Sequence, residues 1–263
     1  MNILKETYSL IKKDLILEFR LKFAISGILL YVLSTVFIVY SSFVRIEPLT
    51  WNAVFWIVIL FAAVNAVGKS FVLENSDRQL YYYSIAHPVA VILSKMLYNI
   101  TLLFALSLLC WVGFSFVAGN PIQDTGIFFL ALFLGSLGFS IAFTFTAAIA
   151  SKAQNSATLM AILSFPVIIP ILMTLIKLSA GTLGEFDNEG VNGDIMILLA
   201  IDALLVGMSL TLFPFLWSVL KKIKELAAGQ LIYLKQFYGL GNGTNERMHF
   251  DGVRPRRGIT KVN

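Results

Sequence analysis

The sequence predicts an all-α membrane protein in which six transmembrane helices follow an N-terminal amphipathic helix. Of the 263 residues, 58% are hydrophobic and only 13% are charged. Between Lys22 and Lys221 the charges are so sparse that the chain divides into six apolar runs. Each run reaches about 20 residues, the length that a helix needs to cross a bilayer. The runs lack the polar alternation of membrane β-strands, so their backbone is predicted to be satisfied as helix.

The predicted spans are residues 23–44, 52–71, 96–117, 127–150, 156–176 and 195–219. They divide the chain into a cytoplasmic elbow helix (1–22), a transmembrane domain (23–219) and a basic cytoplasmic extension (220–263).

The N-terminal segment shows apolar residues at helical spacing, namely Leu4, Tyr8, Ile11, Leu15 and Phe19. Basic residues lie off this stripe, which is typical of a helix in the headgroup plane of a membrane. The segment is therefore predicted to be either a simple anchor or an elbow helix that packs beside a cytoplasmic partner.

The distribution of basic residues predicts that both termini face the cytoplasm. With the N-terminus inside, the inner segments hold 18 of the 20 Lys and Arg residues, and the outer loops hold Arg45 and Lys177. The net charge of +5 therefore indicates membrane topology rather than nucleic-acid binding. Trp51 is expected at the outer headgroup level, and Tyr98 and Trp217 at the inner one, where such rings anchor helices.

No cluster of catalytic or metal-binding residues is recognisable, so neither an enzymatic site nor a metal site is predicted. His87 and His249 are far apart in the sequence, and neither belongs to a metal-binding motif. The sequence 68–70 (Gly-Lys-Ser) resembles the end of a nucleotide-binding P-loop, but Ala63 stands where that motif needs a glycine. If ATP drives this protein, another chain must bind it, and no bound cofactor is predicted.

The longest inner connection within the bundle, residues 69–95, is a candidate contact for a soluble subunit. Its charged and aromatic residues include Glu74, Asp77, Arg78, Tyr81, Tyr82 and Tyr83. The tyrosines are interpreted either as interfacial residues of the membrane or as aromatic anchors for a partner, because binding hot spots favour Tyr. The two interpretations are compatible.

Two features inside the predicted spans indicate special roles. Pro166 and Pro170 each remove a backbone donor from the fifth span, which predicts a kink that is either static or a hinge. Asp202 lies about 10 Å into the sixth span at 1.5 Å per residue, where a charge is costly unless it is paired or protonated. It is expected to pair with Lys177, to be protonated beside a wet cavity, or to lie near a thinned outer interface.

The fourth span is predicted to lie inside the bundle. Small and hydroxyl-bearing residues let helices approach closely and hydrogen-bond across the contact. In this span they are Gly126, Gly135, Ser136, Gly138, Ser140, Thr144 and Thr146.

Several short stretches along the chain carry a resemblance to a known family. They are Lys12-Lys13-Asp14, Tyr81-Tyr82-Tyr83, Ile92 to Asn99, Gly135 to Phe139, Ile149 to Ala153, Phe165-Pro166 and Leu212 to Trp217. In number and order they resemble the haem-exporter permease family CcmB, cytochrome c maturation protein B, in the form found in Bacteroidetes-type bacteria. The resemblance covers about residues 1–218.

This resemblance implies a six-helix, ABC-2-type permease-like subunit of the bacterial inner membrane. Its implied partners are a separate ABC ATP-binding subunit and haem-handling membrane proteins of cytochrome c maturation. By resemblance, the loop 69–95 would receive the ATPase stroke, haem would be the transported or handled substrate, and a homodimer would match twin ATPases.

Three functions stay open at this point: a haem permease, an ABC-2-type permease for another substrate, and a non-transporting scaffold that couples an ATPase to the release of a haem chaperone. Members of the family usually end near residue 218, and no function is predicted for the extension 220–263.

Overall fold

In the computed structural model the described residues are 3–20, 22–42, 46–72, 87–150, 156–184 and 190–237, and they form seven α-helices and no strand. The helices are α1 (Ile3–Arg20), α2 (Lys22–Ser42), α3 (Pro48–Val72), α4 (Pro88–Ala118), α5 (Thr125–Ala150), α6 (Ser156–Gly181) and α7 (Val191–Phe237). Residues 1–219 form one compact unit and residues 220–263 a second. The predicted all-α class is confirmed.

Five helical segments of the described residues are long and apolar enough to cross a membrane: Pro48–Gly68, Pro88–Ala118, Thr125–Ala150, Thr158–Gly181 and Val191–Val219. They correspond to the second to sixth predicted spans, and α4 begins eight residues before its predicted start at Met96. In α2 the described apolar stretch is Leu30–Val39, so the first predicted span stays a prediction.

Helix α5 is the centre of the unit formed by residues 1–219, and it packs against α3, α4 and α6. A Cβ atom at Gly135 would lie 2.8 Å from the Trp56 ring, and one at Gly138 would lie 2.7 Å from Oδ1 of Asp202. Both distances are shorter than real side-chain contacts, so only glycine fits here without displacing a neighbour. The predicted interior position of this span is confirmed.

Polar side chains line the contact between α4 and α5. Asn99 Nδ2 donates to Thr144 Oγ1 at 2.8 Å, and Ser140 Oγ donates to the Met96 carbonyl at 3.1 Å. The hydroxyls of Ser107 and Ser136 lie 3.4 Å apart further along the same contact. Such bonds between membrane helices contribute about 0.6 kcal/mol each on average, so their main effect is to fix the register of the two helices.

A second polar cluster joins α3 to α6. Trp56 Nε1 donates to Ser179 Oγ at 2.7 Å, and Asn52 Nδ2 donates to the Ile176 carbonyl at 2.8 Å. The Ser179 hydroxyl lies 2.7 Å from Oδ1 of Asn52 and 2.5 Å from the Leu175 carbonyl, and its single proton serves one of these two acceptors at a time. All three side chains are fully buried.

The aromatic residues expected at headgroup level are buried within the protein. Trp51 is 1% exposed and stacks on Phe55 at 5.1 Å, with the Phe114 ring edge-on at 5.7 Å. Tyr98 and Trp217 are also buried. Burial does not fix the depth of a ring in the membrane, so the headgroup level of these three residues stays a prediction.

Substitution of Ser179 by alanine tests the α3–α6 cluster. It leaves the buried Trp56 N–H without its acceptor, which is expected to lower the free energy of unfolding by about 1–3 kcal/mol. Thr174→Ala on the same helix is the control, because the Thr174 hydroxyl bonds only the Pro170 carbonyl of its own helix and is exposed. Thermal unfolding of the detergent-solubilised protein compares the two variants, and equal midpoints would contradict the assigned role of the cluster.

Candidate functional site

The predicted coupling residues Glu74, Asp77, Arg78, Tyr81, Tyr82 and Tyr83 lie outside the described residues. The two helices that flank them are described: α3 ends at Val72 and α4 begins at Pro88. The candidate site is therefore defined by its flanks, at the end of the bundle where α1, α3 and α4 carry their charged residues.

Helix α4 begins at Pro88, directly after its N-cap residue His87. His87 has extended backbone angles (φ −70°, ψ 133°) and its carbonyl accepts from the amides of Ala90 and Val91. Pro88 occupies the first helical position, where its missing N–H is not needed. The His87 side chain makes no capping bond and is exposed.

A buried ion pair joins α1 to α4. Nζ of Lys95 lies 3.2 Å from Oδ2 of Asp14, and both side chains are only 8% exposed. Nζ of Lys13 lies 3.1 Å from the other oxygen, Oδ1, and is 28% exposed. The carboxylate thus has one buried and one partly solvated cationic neighbour.

A second contact joins the same two helices eight residues nearer their N-terminal ends. The backbone N–H of His87 donates to Oε2 of Glu6 at 3.3 Å. From Glu6 to Asp14 and from His87 to Lys95 is the same distance along the chain, eight residues or about 12 Å of helix. The shared offset of 81 residues means that α1 and α4 run parallel, in a register fixed at two points.

The face that α1 turns toward the protein differs from the predicted stripe. Thr7 and Asp14 are its buried residues, whereas Tyr8 is 69% exposed. Ile11 and Leu15 are half-buried. The anchoring and partner-binding roles of the apolar stripe stay predictions, and the side of α1 that carries Asp14 faces Lys95.

The ion pair was not foreseen from the sequence. Asp14 and Lys95 are separated by two predicted helices, and each had an ordinary interpretation as a residue near the membrane surface. A usable signal was present, since Asp14 stands two turns from Thr7 on one face of the amphipathic helix. Its partner is identified only once α1 and α4 are known to be adjacent.

Helix α6 runs without a break through Pro166 and Pro170. The two prolines leave the carbonyls of Ile162 and Pro166 without their usual backbone donors. An apolar cavity of about 70 Å³ lies beside this stretch, between α3 and α6, with Phe165, Ile168 and Phe143 in its wall. The kink and its hinge function stay predictions.

Asp202 lies about 16 Å along α7 from Val191 at 1.5 Å per residue. It is 3% exposed, and neither carboxyl oxygen has a hydrogen-bond partner among the described residues. The expected pairing with Lys177 was wrong, because Nζ of Lys177 lies 2.8 Å from Oδ1 of Asp194. Asp194 stands nearer the helix start and is within easier reach of the end of α6.

Nucleotide and metal sites can be compared with this geometry. The Gly68-Lys69-Ser70 sequence lies within α3, which runs to Val72, so it is helical rather than a phosphate-binding loop. In the described part of the chain no three His, Cys, Asp or Glu residues are grouped as metal ligands would be.

A double-mutant cycle tests the Asp14–Lys95 pair. Removing one partner of a buried pair leaves an uncompensated charge, so Asp14→Ala is expected to lower the free energy of unfolding by about 3–5 kcal/mol. The double variant with Lys95→Ala should be no less stable than the worse single variant. Lys13→Ala is the control and should cost about 1 kcal/mol or less, because Lys13 is partly solvated. Additive effects in thermal unfolding would contradict a direct pair.

Comparison with known proteins places this geometry in a family. No curated protein sequence matches the chain. The sequence profile of a family described as CcmB protein matches residues 5–220, which includes most of α1, all five candidate membrane spans and the paired Asp14 and Lys95. The match covers well over half of the 263 residues. The chain therefore belongs to the CcmB family, whose members are multi-pass inner-membrane components of the haem-exporting ABC transporter of cytochrome c biogenesis.

Proposed function

We propose that this chain is the permease subunit on which a separate ATP-binding subunit acts. In this proposal the ATP-driven movement enters the permease through residues 69–95, which connect α3 to α4, and through helix α1, which packs against α4. The family supplies the transporter context. The observation that carries the mechanical part is the buried Asp14–Lys95 pair, 3.2 Å long, at the start of α4.

The geometry supports this route because the loop leads directly into α4. A push on residues 73–86 would be delivered to His87 and Pro88, the first residues of that helix. Since α1 is tied to α4 at Glu6 and at Asp14, the two helices would move together rather than slide past each other. Helix α1 thus serves as a brace for the helix that receives the stroke.

From α4 the movement would pass to the centre of the bundle. Asn99 and Ser140 hold α4 and α5 in register, so a displacement of α4 shifts α5 with it. Helix α5 in turn packs against α6, where Pro166 and Pro170 weaken the backbone ladder. We assign the bending of the bundle to this proline pair.

In this proposal both termini face the cytoplasm, because most Lys and Arg residues lie in the segments that are then on the inner side of the membrane. The charged and aromatic residues of the loop, Glu74, Asp77, Arg78, Tyr81, Tyr82 and Tyr83, would contact the ATP-binding subunit. Haem-handling proteins of cytochrome c maturation would bind the complex in the membrane, and two copies of this chain would pair with twin ATPases.

Haem staining of c-type cytochromes tests the proposal in cells. Cells that lack the gene are expected to lose covalently haem-stained cytochromes, and the intact gene should restore them. The triple variant Tyr81→Ala/Tyr82→Ala/Tyr83→Ala should fail to restore them and should bind the ATP-binding subunit about 30-fold more weakly, if the tyrosines together contribute about 2 kcal/mol. Thr211→Ala, an exposed substitution on α7, is the matched control.

The outcomes separate the open functions. Unchanged staining in the deletion strain would reject the role in haem export and leave a permease for another substrate. If the deletion strain loses haem staining but its membrane vesicles keep ATP-dependent haem movement, the result would favour a scaffold that releases a haem chaperone. Normal binding of the ATP-binding subunit by the triple variant would reject the loop as the contact.

Cysteine labelling tests the orientation. Cys110 is buried and is the one cysteine of the chain, so Cys110→Ala gives a background without thiols. Asn120→Cys, in the exposed connection between α4 and α5, should react with a membrane-impermeant maleimide in spheroplasts. Ser9→Cys, on the exposed side of α1, should react only after the membrane is opened. The reverse pattern would place the termini outside.

A further inference from the structure

Asp202 places a carboxyl group inside the bundle where nothing described compensates a charge. It is 3% exposed, and both of its oxygens are buried without a hydrogen-bond partner among the described residues. A carboxylate keeps its charge in such a place only when cations or several donors face it. The proposed path of movement through α1, α4 and α5 does not involve Asp202.

The helices around Asp202 supply no such charge. Helix α5 contains no ionisable acid or base, and Lys177 is the sole one on α6. Lys177 is already bound to Asp194, with 2.8 Å between Nζ and Oδ1. On α7 itself, Asp194 lies about two turns nearer the helix start, and the next charged residue beyond Asp202 is Lys221.

The carboxyl group rests directly on the backbone of α5. A Cβ at Gly138 would lie 2.7 Å from Oδ1 of Asp202, and it would lie 3.3 Å from a methyl group of Ile171 on α6. The absence of a side chain at Gly138 is therefore what gives Asp202 its space. Gly138 of α5 thus lies against Asp202 of α7 and beside Ile171 of α6.

Helix α7 meets the rest of the unit through one narrow stripe. One face of this helix carries its described buried residues, which recur at offsets of four, four, three, four and eight: Asp194, Leu198, Asp202, Leu205, Ser209 and Trp217. Leu199 and Leu204 beside them are at least half exposed. Asp202 thus lies within the contact face itself. Any separation of α7 from α5 exposes the carboxyl group.

We propose that Asp202 is a proton-binding site: its carboxylate takes up one proton when α7 packs on α5 at Gly138, and the acid releases that proton to water when the two helices separate. The neutral acid is the stable form when the helices are packed, because the group is then buried. The anion is the stable form when they are separated, because water then hydrates it. Because the packed state binds the proton more tightly, linkage requires that lower pH favours packing. This site needs neither haem nor an ATPase, so it stands independently of the proposed function.

Infrared spectroscopy of the full-length protein in lipid nanodiscs at neutral pH tests the site. The wild type is expected to show the carbonyl stretch of a protonated carboxyl group, and Asp202→Asn should remove it. Asp194→Asn is the matched control and should leave the band in place, because Asp194 is paired with Lys177. A wild-type spectrum without a band that Asp202→Asn removes would overturn the proposal.

If the Asp202→Asn variant does not accumulate in cells, a chemical test replaces the infrared measurement. Dicyclohexylcarbodiimide attaches to protonated carboxyl groups in apolar surroundings, and mass spectrometry of wild-type peptides locates the adduct. An adduct at Asp202 and none at Asp194 supports the proton site. An unmodified Asp202 at neutral pH overturns it.

The link between the proton and helix packing is tested at the glycine. In Gly138→Ala the new methyl group would overlap the position of the carboxyl oxygen, so α7 should be displaced and the protonated band lost at neutral pH. Gly207→Ala is the control on α7, since a Cβ there meets nothing within 4 Å. If Gly138→Ala is not stable, Leu205→Ala loosens the same stripe. A band that persists in the displaced variant would show that protonation is independent of packing and overturn the link.

Discussion

The bundle depends on the close approach of helices at α5. In a membrane there is little hydrophobic force between helices, so their contacts must come from packing and from hydrogen bonds across the interface. At Gly135 a side chain of any size would meet the Trp56 ring, and at Gly138 it would meet Asp202. These two glycines lie about one turn apart on one face of α5, and they let Trp56 of α3 and Asp202 of α7 approach the central helix closely.

Several polar groups in the interior position the helices against each other. The Asn52–Ser179–Trp56 cluster joins α3 to α6, and Asn99 with Ser140 joins α4 to α5. These hydrogen bonds lie where no water competes, so the helices have a preferred register. In the proposed mechanism, in which α1, α4 and α5 move together, such registers would resist sliding between the helices.

The sequence predicted the helical class and five of the spans because long uncharged runs have few alternatives in lipid. It also predicted that the glycine-rich span is central, since Gly135 and Gly138 have a direct packing meaning. It could not predict the burial of Trp51 or the buried face of α1, because both depend on which helices become neighbours. Lys177 could equally reach either of two acids by sequence spacing, and the fold selects Asp194. The coupling residues of the loop lie outside the described chain, so their role stays a prediction.

The parallel register of α1 and α4 has a consequence for how the protein is made. Asp14 leaves the ribosome 81 residues before Lys95, which corresponds to roughly 4–16 s at about 5–20 residues per second. During that interval the acid has no Lys95 to meet, so α1 can be fastened to α4 only after the segments between them have been synthesised. Helix α1 is thus made well before its partner, and its docking marks the point at which α4 is complete.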